Sequence, residues 1–228
     1  MKNTLTLSTV LSLLLCAPLA QANIINGDFA SCDFSGWQQD SDGFGSPGNT
    51  TDFTIENNAG NCSANILVDD GASASAMFVN TLFTELDLTA LPTDTMTLSF
   101  DWAFSGTDGD PVFGDYFSVF LSGPDGGIFG RDGQPGFLIE PVSSYGSDSF
   151  STIIDPTLYN SAGWTLEFQV FDAFSPTDDA LFSVLNIDNV QLSTQGVNVS
   201  APATGVLMSL SLMLAYRGRR HFNGSEKV

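Results

Sequence analysis

The chain reads as an all-β protein built around a single β-sandwich, and three observations predict it. Apolar and polar residues alternate with a period of two along several stretches, the pattern of strands with one buried face. Segments rich in Gly, Asp, Pro and Ser separate those stretches, which is turn chemistry. Between the two ends of the chain, no stretch keeps the 3.6-residue apolar period of a proper helix. Many short strands joined by such loops make a sandwich.

Taken in order, residues 1–22 read as a signal peptide. Lys2 is a minimal basic region, Leu5 to Leu19 an apolar one, and Ala20-Gln21-Ala22 a cleavage site before Asn23. The leucines before Cys16 lack the small residue of a lipoprotein signal. The sandwich domain is assigned to 23–193. Its clearest strand sets Met96, Leu98, Phe100, Trp102 and Phe104 against Thr97, Ser99, Asp101 and Ala103. A second alternates Trp164, Leu166, Phe168 and Val170 with Thr165, Glu167 and Gln169, which puts Glu167 outward. Phe117, Val119 and Leu121 form a third. Further strands are expected at Thr51–Ile55, Ala64–Val68, Ala74–Val79, Gly136–Glu140, Ser149–Ile153 and Leu181–Leu192. Residues 194–200 read as a linker, 201–220 as a short apolar segment with a basic end, and 221–228 as a tail.

Charge narrows the partners. Of 26 acidic residues 25 lie between Asn23 and Val199, against Arg131 alone among the six basic ones, a formal balance of −24. Such a surface binds neither nucleic acid nor an anionic membrane, because both require Lys and Arg. It suits a salty exterior, where screening acts within about 8–10 Å, or carboxylates that hold Ca²⁺. Once Cys16 is removed, Cys32 and Cys62 are left in an oxidising compartment, and a disulfide is expected. A zinc site is excluded, since the one histidine, His221, lies past the apolar segment.

The C-terminal end carries a resemblance. Val199-Ser200-Ala201-Pro202-Ala203-Thr204 precedes the apolar run Gly205 to Tyr216, and Arg217-Gly218-Arg219-Arg220 follows it. A run that short falls below the roughly 20 residues of a comfortable membrane span, but its flanking arginines fit a segment held with its basic end inside. The arrangement resembles the PEP-CTERM sorting signal of Gram-negative bacteria. Ser-Ala-Pro stands where that family has Pro-Glu-Pro, and eight residues follow the arginines. The resemblance implies a membrane-tethered precursor, processing by an exosortase-type protease, and Ser200, Ala201, Pro202, Arg217, Arg219 and Arg220 as the sorting motif.

The ends of the domain carry another. Ile24-Ile25-Asn26-Gly27-Asp28-Phe29 with Asp33-Phe34-Ser35-Gly36-Trp37 opens it, and Leu185-Asn186-Ile187-Asp188-Asn189-Val190-Gln191-Leu192 closes it. These are similar to the first and last segments of jelly-roll carbohydrate-binding modules. The resemblance implies a jelly roll whose first and last strands lie side by side, aromatics that fill one end of the core, and polysaccharide as a partner. It also implies a structural Ca²⁺. Strand parity turns Asp188 inward with Val190 and Leu192, and a buried carboxylate needs a partner. Ala30 replaces the family's Glu, with Asp28 as its substitute. The loop of Asp108, Asp110 and Asp115 is a second calcium candidate.

Catalysis has little to work with. The mature domain holds no His, no Lys and no free Cys, which leaves a carboxylate pair among Glu56, Glu85, Glu140 and Glu167. For sugar binding, Phe44, Phe113, Phe129, Tyr145 and Tyr159 are expected in loops. The sequence therefore predicts an exported, non-enzymatic surface or matrix protein that binds polysaccharide. The alternatives are a carboxylate-dependent glycoside hydrolase and a purely structural matrix protein.

Overall fold

The computed structural model describes residues 24–44, 52–69, 77–88, 95–107, 114–158, 162–173 and 182–195. The signal peptide, the whole sorting motif (Ser200, Ala201, Pro202, Arg217, Arg219, Arg220), Asp108, Asp110, Phe113 and Tyr159 lie outside the described residues. Eleven strands are described: β1 (Gln38–Phe44), β2 (Phe53–Asn58), β3 (Asn61–Asp69), β4 (Met77–Leu86), β5 (Thr95–Gly106), β6 (Tyr116–Ser122), β7 (Ile128–Phe129), β8 (Ile139–Val142), β9 (Gly146–Ile153), β10 (Trp164–Phe171) and β11 (Phe182–Gln195). One helical turn, Pro156–Leu158, is described with them. The strands form two antiparallel sheets packed as a jelly-roll-type β-sandwich. One sheet runs β1-β4-β10-β6-β7 with β8 also on β6, and the other runs β2-β3-β11-β5-β9.

Each strong alternation holds. Strand β10 buries Trp164, Leu166, Phe168 and Val170 and leaves the residues between them partly exposed. Strand β5 buries Met96, Leu98, Phe100 and Phe104, and half-buries Trp102 against Phe117 with ring centroids 4.8 Å apart. The inner faces interdigitate through rings, as where Phe100 and Phe168 meet edge-on at 5.0 Å. Each ring of this size that leaves water contributes about 1.5–3 kcal/mol.

Four expectations change. Strand β4, expected at Ala74–Val79, continues to Leu86, because Asn80 and Thr84 take inward positions beside Leu82 and Leu86 and hide its alternation. Strands β1 and β7 were not anticipated, because Gln38–Phe44 and the two-residue β7 carry no apolar alternation; each is held at the margin of a sheet by its neighbour's ladder. Strand β8 starts three residues later than expected, since Gly136 bonds to the Ile128 carbonyl of β7 at 3.2 Å and the chain reaches β6 only at Leu138, whose N–H donates to the Val119 carbonyl at 2.8 Å. The first and last strands are not neighbours: β1 pairs with β4, and β11 lies between β3 and β5. What lies against β11 is the turn segment ahead of β1, through the Val190 N–H donated to the Gly27 carbonyl at 2.8 Å.

Candidate functional site

The opening motif builds a plug for one end of the core. Phe29 is fully buried and stacks on Trp37 at 5.2 Å, and Trp37 reaches Phe168 at 6.0 Å. Asn26 organises the turn. Its Nδ2 donates to the Asp33 carbonyl, its Oδ1 accepts the Ser31 N–H, and its carbonyl accepts the Trp37 Nε1–H at 3.1 Å. Gly27 is required because a Cβ there would come within 2.0 Å of the Val190 carbonyl oxygen. Gly36 sits at φ +85° with Ile25 pressed against it, a conformation that favours glycine. Cys32 and Cys62 are disulfide-bonded with their Cα atoms 5.3 Å apart, which ties the plug to β3. Hydrogen bonds from Ser31 and Ser35 hold the Asp33 carboxyl below the usual carboxylate range.

The inward orientation expected of Asp188 is corrected. Leu185 and Ile187 are buried, and so are Val190 and Leu192; the phase of alternation changes between the two pairs. Asn189 causes the change, adopting φ +53° in a β-bulge that puts two successive residues on the outer face. Asp188 therefore faces outward, where one oxygen accepts the Asn61 Nδ2–H at 3.3 Å and the other its neighbour's N–H at 2.7 Å. Asp28 is exposed and caps the Ala30 N–H. With Glu replaced by Ala30 and no inward carboxylate at 188, these residues do not fit the implied calcium. Asp115 is buried, its Oδ1 accepting the Ala173 N–H at 3.1 Å. Among the described residues no group of three or more Asp, Glu, Cys or His side chains is placed to hold a metal ion.

Of the expected loop aromatics, the described rings of Phe129 and Tyr145 pack onto different parts of the sandwich. Tyr145 packs on Phe104 and shares a hydrogen bond with Ser183, Phe129 meets Trp164, and Phe44 belongs to β1. Aromatic residues gather instead on the outer face of the six-stranded sheet. Register defines its rows. Glu167 on β10 lies opposite Phe83 on β4 and Phe120 on β6, and Phe83 lies opposite Gln38 on β1. Two residues along, Gln169 lies between Thr81 and Ser118, with Asp40 beyond Thr81. Two further along, Phe171 lies between Val79 and Tyr116, and the Phe171 and Tyr116 rings stack at 4.8 Å. Burial pushes the Tyr116 phenol up from its ordinary pKa.

These rows form a trough. Phe120 faces outward yet is buried, with the Phe137 ring against it edge-on at 5.9 Å, so the segment between β7 and β8 walls one side. On the floor, Val79, Phe83, Thr165, Glu167, Gln169 and Phe171 are half-buried. The Phe83 and Phe171 rows lie about 13 Å apart along the strands, at about 3.4 Å per residue. Between them stands the Gln169 amide, bonded to the Thr81 hydroxyl at 3.4 Å; the Glu167 carboxylate, in the Phe83 row, accepts the Thr165 hydroxyl at 2.8 Å. Beyond Glu85 and Gln38 the trough runs into a groove of about 650 Å³ at the end of the sandwich, whose lining includes Ile25, Trp37, Asp87 and Trp164. Rings at intervals with hydrogen-bonding groups between them suit a long ligand that is apolar on its faces and hydroxylated at its rim. Parity along β6 and β10 could have found Tyr116, Phe120 and Phe171; placing Phe83 beside Glu167 needed the register.

No protein-family description and no curated protein sequence matches the chain. Several solved structures share its general course. The mannan-recognising carbohydrate-binding module TmCBM27 is 13% identical at a TM-score of 0.39, over 78% of this chain and 99% of that one. The CBM22-1 xylan-binding domain of Paenibacillus barcinonensis Xyn10C is 11% identical at 0.39, over 78% and 97%. The enzymatically active domain of bacteriophage CBA120 tailspike protein 4 is 14% identical at 0.44, over 76% of this chain and 21% of that one. The chain thus spans about a fifth of the tailspike domain. At such scores the likeness is one of architecture, and it says nothing of a ligand.

Proposed function

We propose that the domain is a non-catalytic module that binds an extracellular polysaccharide along the outer trough of the six-stranded sheet. The observation that carries this reading is the row order of the trough: Phe83 with Glu167, then Gln169 with Thr81, then Phe171 with Tyr116. Rigid rings supply contact area at low conformational cost, and the carboxylate beside Phe83 and the amide between the two ring rows offer hydrogen bonds to sugar hydroxyls. In this proposal the protein is exported through residues 1–22 and held or released at the surface through the PEP-CTERM-like segment by an exosortase-type protease. Replacing Pro202, or Arg217, Arg219 and Arg220 together, then leaves an unprocessed precursor in the inner membrane; normal processing of both variants refutes the sorting part. Calcium enters only as a stabilising ion near Asp115. A melting shift that magnesium reproduces at matched ionic strength removes it.

Binding is tested by electrophoretic retardation in gels that contain soluble polysaccharides. Phe171→Ala removes one anchor and weakens retention by roughly 5–30-fold, about 1–2 kcal/mol, with the melting temperature retained. Unchanged migration in every polysaccharide refutes the reading and leaves a structural matrix protein. One observation favours a hydrolase as the second reading. Glu85 lies opposite Thr165 and Glu167 opposite Phe83, so two glutamates sit diagonally on neighbouring strands with their Cα atoms about 7–8 Å apart, and a carboxylate pair is what glycoside hydrolysis requires. Release of reducing ends, abolished by Glu167→Gln, decides for it.

A further inference from the structure

We propose that the glycan of the trough is cationic, a polymer of hexosamine units that carry unacetylated amines; this rests on the trough reading above. Charge is the first argument. Between Asn23 and Val199 the one basic residue is Arg131, on the exposed turn after β7, and among the described side chains of β1, β4 and β10 the ionisable ones on this face are Asp40, Glu85 and Glu167. A uronate or sulfated polymer would bring like charge into a site that holds no cation to receive it, and the summed field of the domain would repel it before contact. A polymer with ammonium groups meets the opposite situation at both ranges.

The placement of Glu167 is the second argument, and it is independent of total charge. This carboxylate is not on the rim. It lies half-buried in mid-sheet, on the strand between Phe83 and Phe120, and the Thr165 hydroxyl fixes its Oε1. A neutral sugar hydroxyl would use it as an acceptor like any other. A protonated amine would use the carboxylate and the π face of the adjoining Phe83 together, because a charge-assisted hydrogen bond and a cation–π contact have the same electrostatic sign. Asp40 and Glu85 then flank this point along the trough and receive neighbouring amines on the same chain. Gln169 and Thr81, uncharged, serve the ring hydroxyls between them.

The test is calorimetric titration of the purified protein, in buffer without divalent cations, with a glucosamine hexasaccharide and with its fully N-acetylated counterpart. The amine form binds about tenfold more tightly, and the preference shrinks as salt shortens the range of attraction. Glu167→Gln lowers affinity for the amine form by about fivefold to tenfold and for the acetylated form by about twofold or less, the difference between an ion pair and one hydroxyl's hydrogen bond. Glu56→Gln, exposed on the outer face of the opposite sheet, removes the same charge from the domain and changes neither. Equal losses in the two variants mean general attraction between a polycation and an acidic protein, and overturn the proposal. Equal affinity for both oligomers, with Phe171→Ala weakening both, overturns the amine class and keeps the trough. Binding of neither, with no effect of Phe171→Ala on any polysaccharide, removes the trough reading and this proposal with it.

Discussion

The two outer faces of the sandwich are made of different material and are finished differently. On the six-stranded sheet, Phe83, Phe171 and Tyr116 stand half-buried beside Glu167 and Gln169. On the five-stranded sheet, Phe182 at the start of β11 is the one large ring among the described outward residues of β3, β11 and β5, and the polar side chains engage one another. Asn186 Nδ2 donates to Ser63 Oγ and Asn65 Oδ1, both at 2.7 Å. Asp101 accepts from Ser149 and from Asn189, which bridges β5 and β11. A face whose donors and acceptors are satisfied within the sheet has little left to offer a ligand, and it stiffens the sheet instead. The contrast teaches that recognition on a sandwich can be assigned by asking which face leaves its rings and hydrogen-bonding groups open outward.

The comparison can be broken at several depths. Inserting one serine directly after Asn189 shifts the alternation by a residue and turns Val190 and Leu192 away from the core. Two lost apolar side chains cost about 3–6 kcal/mol, and chemical denaturation should show a domain close to unfolding. Replacing Cys32 and Cys62 together by Ser opens a loop that spans 30 residues and costs about 3–4 kcal/mol. That lowers the melting temperature by about 6–16 °C, while retention by polysaccharide stays as in the parent, since the bond lies away from the trough. Intact-mass measurement of the parent, about 2 Da lighter than its reduced form, checks the bond itself.

Asn186→Ala strips two hydrogen bonds from the closed face and costs about 1 kcal/mol by denaturant titration. Its affinity for polysaccharide should not change, and a loss there would assign binding to the wrong sheet. The smallest effect is on Asp101. Hydrogen bonds from Ser149 and Asn189 hold its carboxyl below the usual carboxylate range. Its contribution is therefore complete above its unfolded pKa of about 3.9 and is lost as pH falls through the lower folded value. Asp101→Asn should lower stability at neutral pH by about a few tenths of a kcal/mol, and the difference should close in titrations below about pH 4.

Most of the fold was legible because buried strands must alternate. Strands β5, β6 and β10 fill the core with every second residue, so composition and period placed them to within a residue or two. Margins were not legible: β1 pairs through its backbone and carries Gln, Asp and Ser. The motif Asn26-Gly27-Asp28-Phe29 pointed correctly to an end of the core and wrongly to an inward Asp188, because one left-handed residue at Asn189 inverts every side chain after it. Sequence alone gives no sign of such a bulge beyond an Asn, a residue that tolerates that conformation. The disulfide followed from counting two cysteines. The trough did not follow from the sequence, since its parts come from strands 80 residues apart in the chain, and only register sets Phe83 beside Glu167.

The central position of β11 has a mechanical consequence. This strand has β3 on one side and β5 on the other, and its Val190 also holds the opening plug. For a chain gripped beyond Gln195, tension enters the domain through this middle strand. An edge strand such as β9 could be peeled one hydrogen bond at a time, but β11 must slide against two ladders at once, so many bonds break together. Drag on a tethered copy would then be resisted in shear at the centre of the sheet, and the rate of forced unfolding, more than equilibrium stability, would set how long the domain lasts in flow.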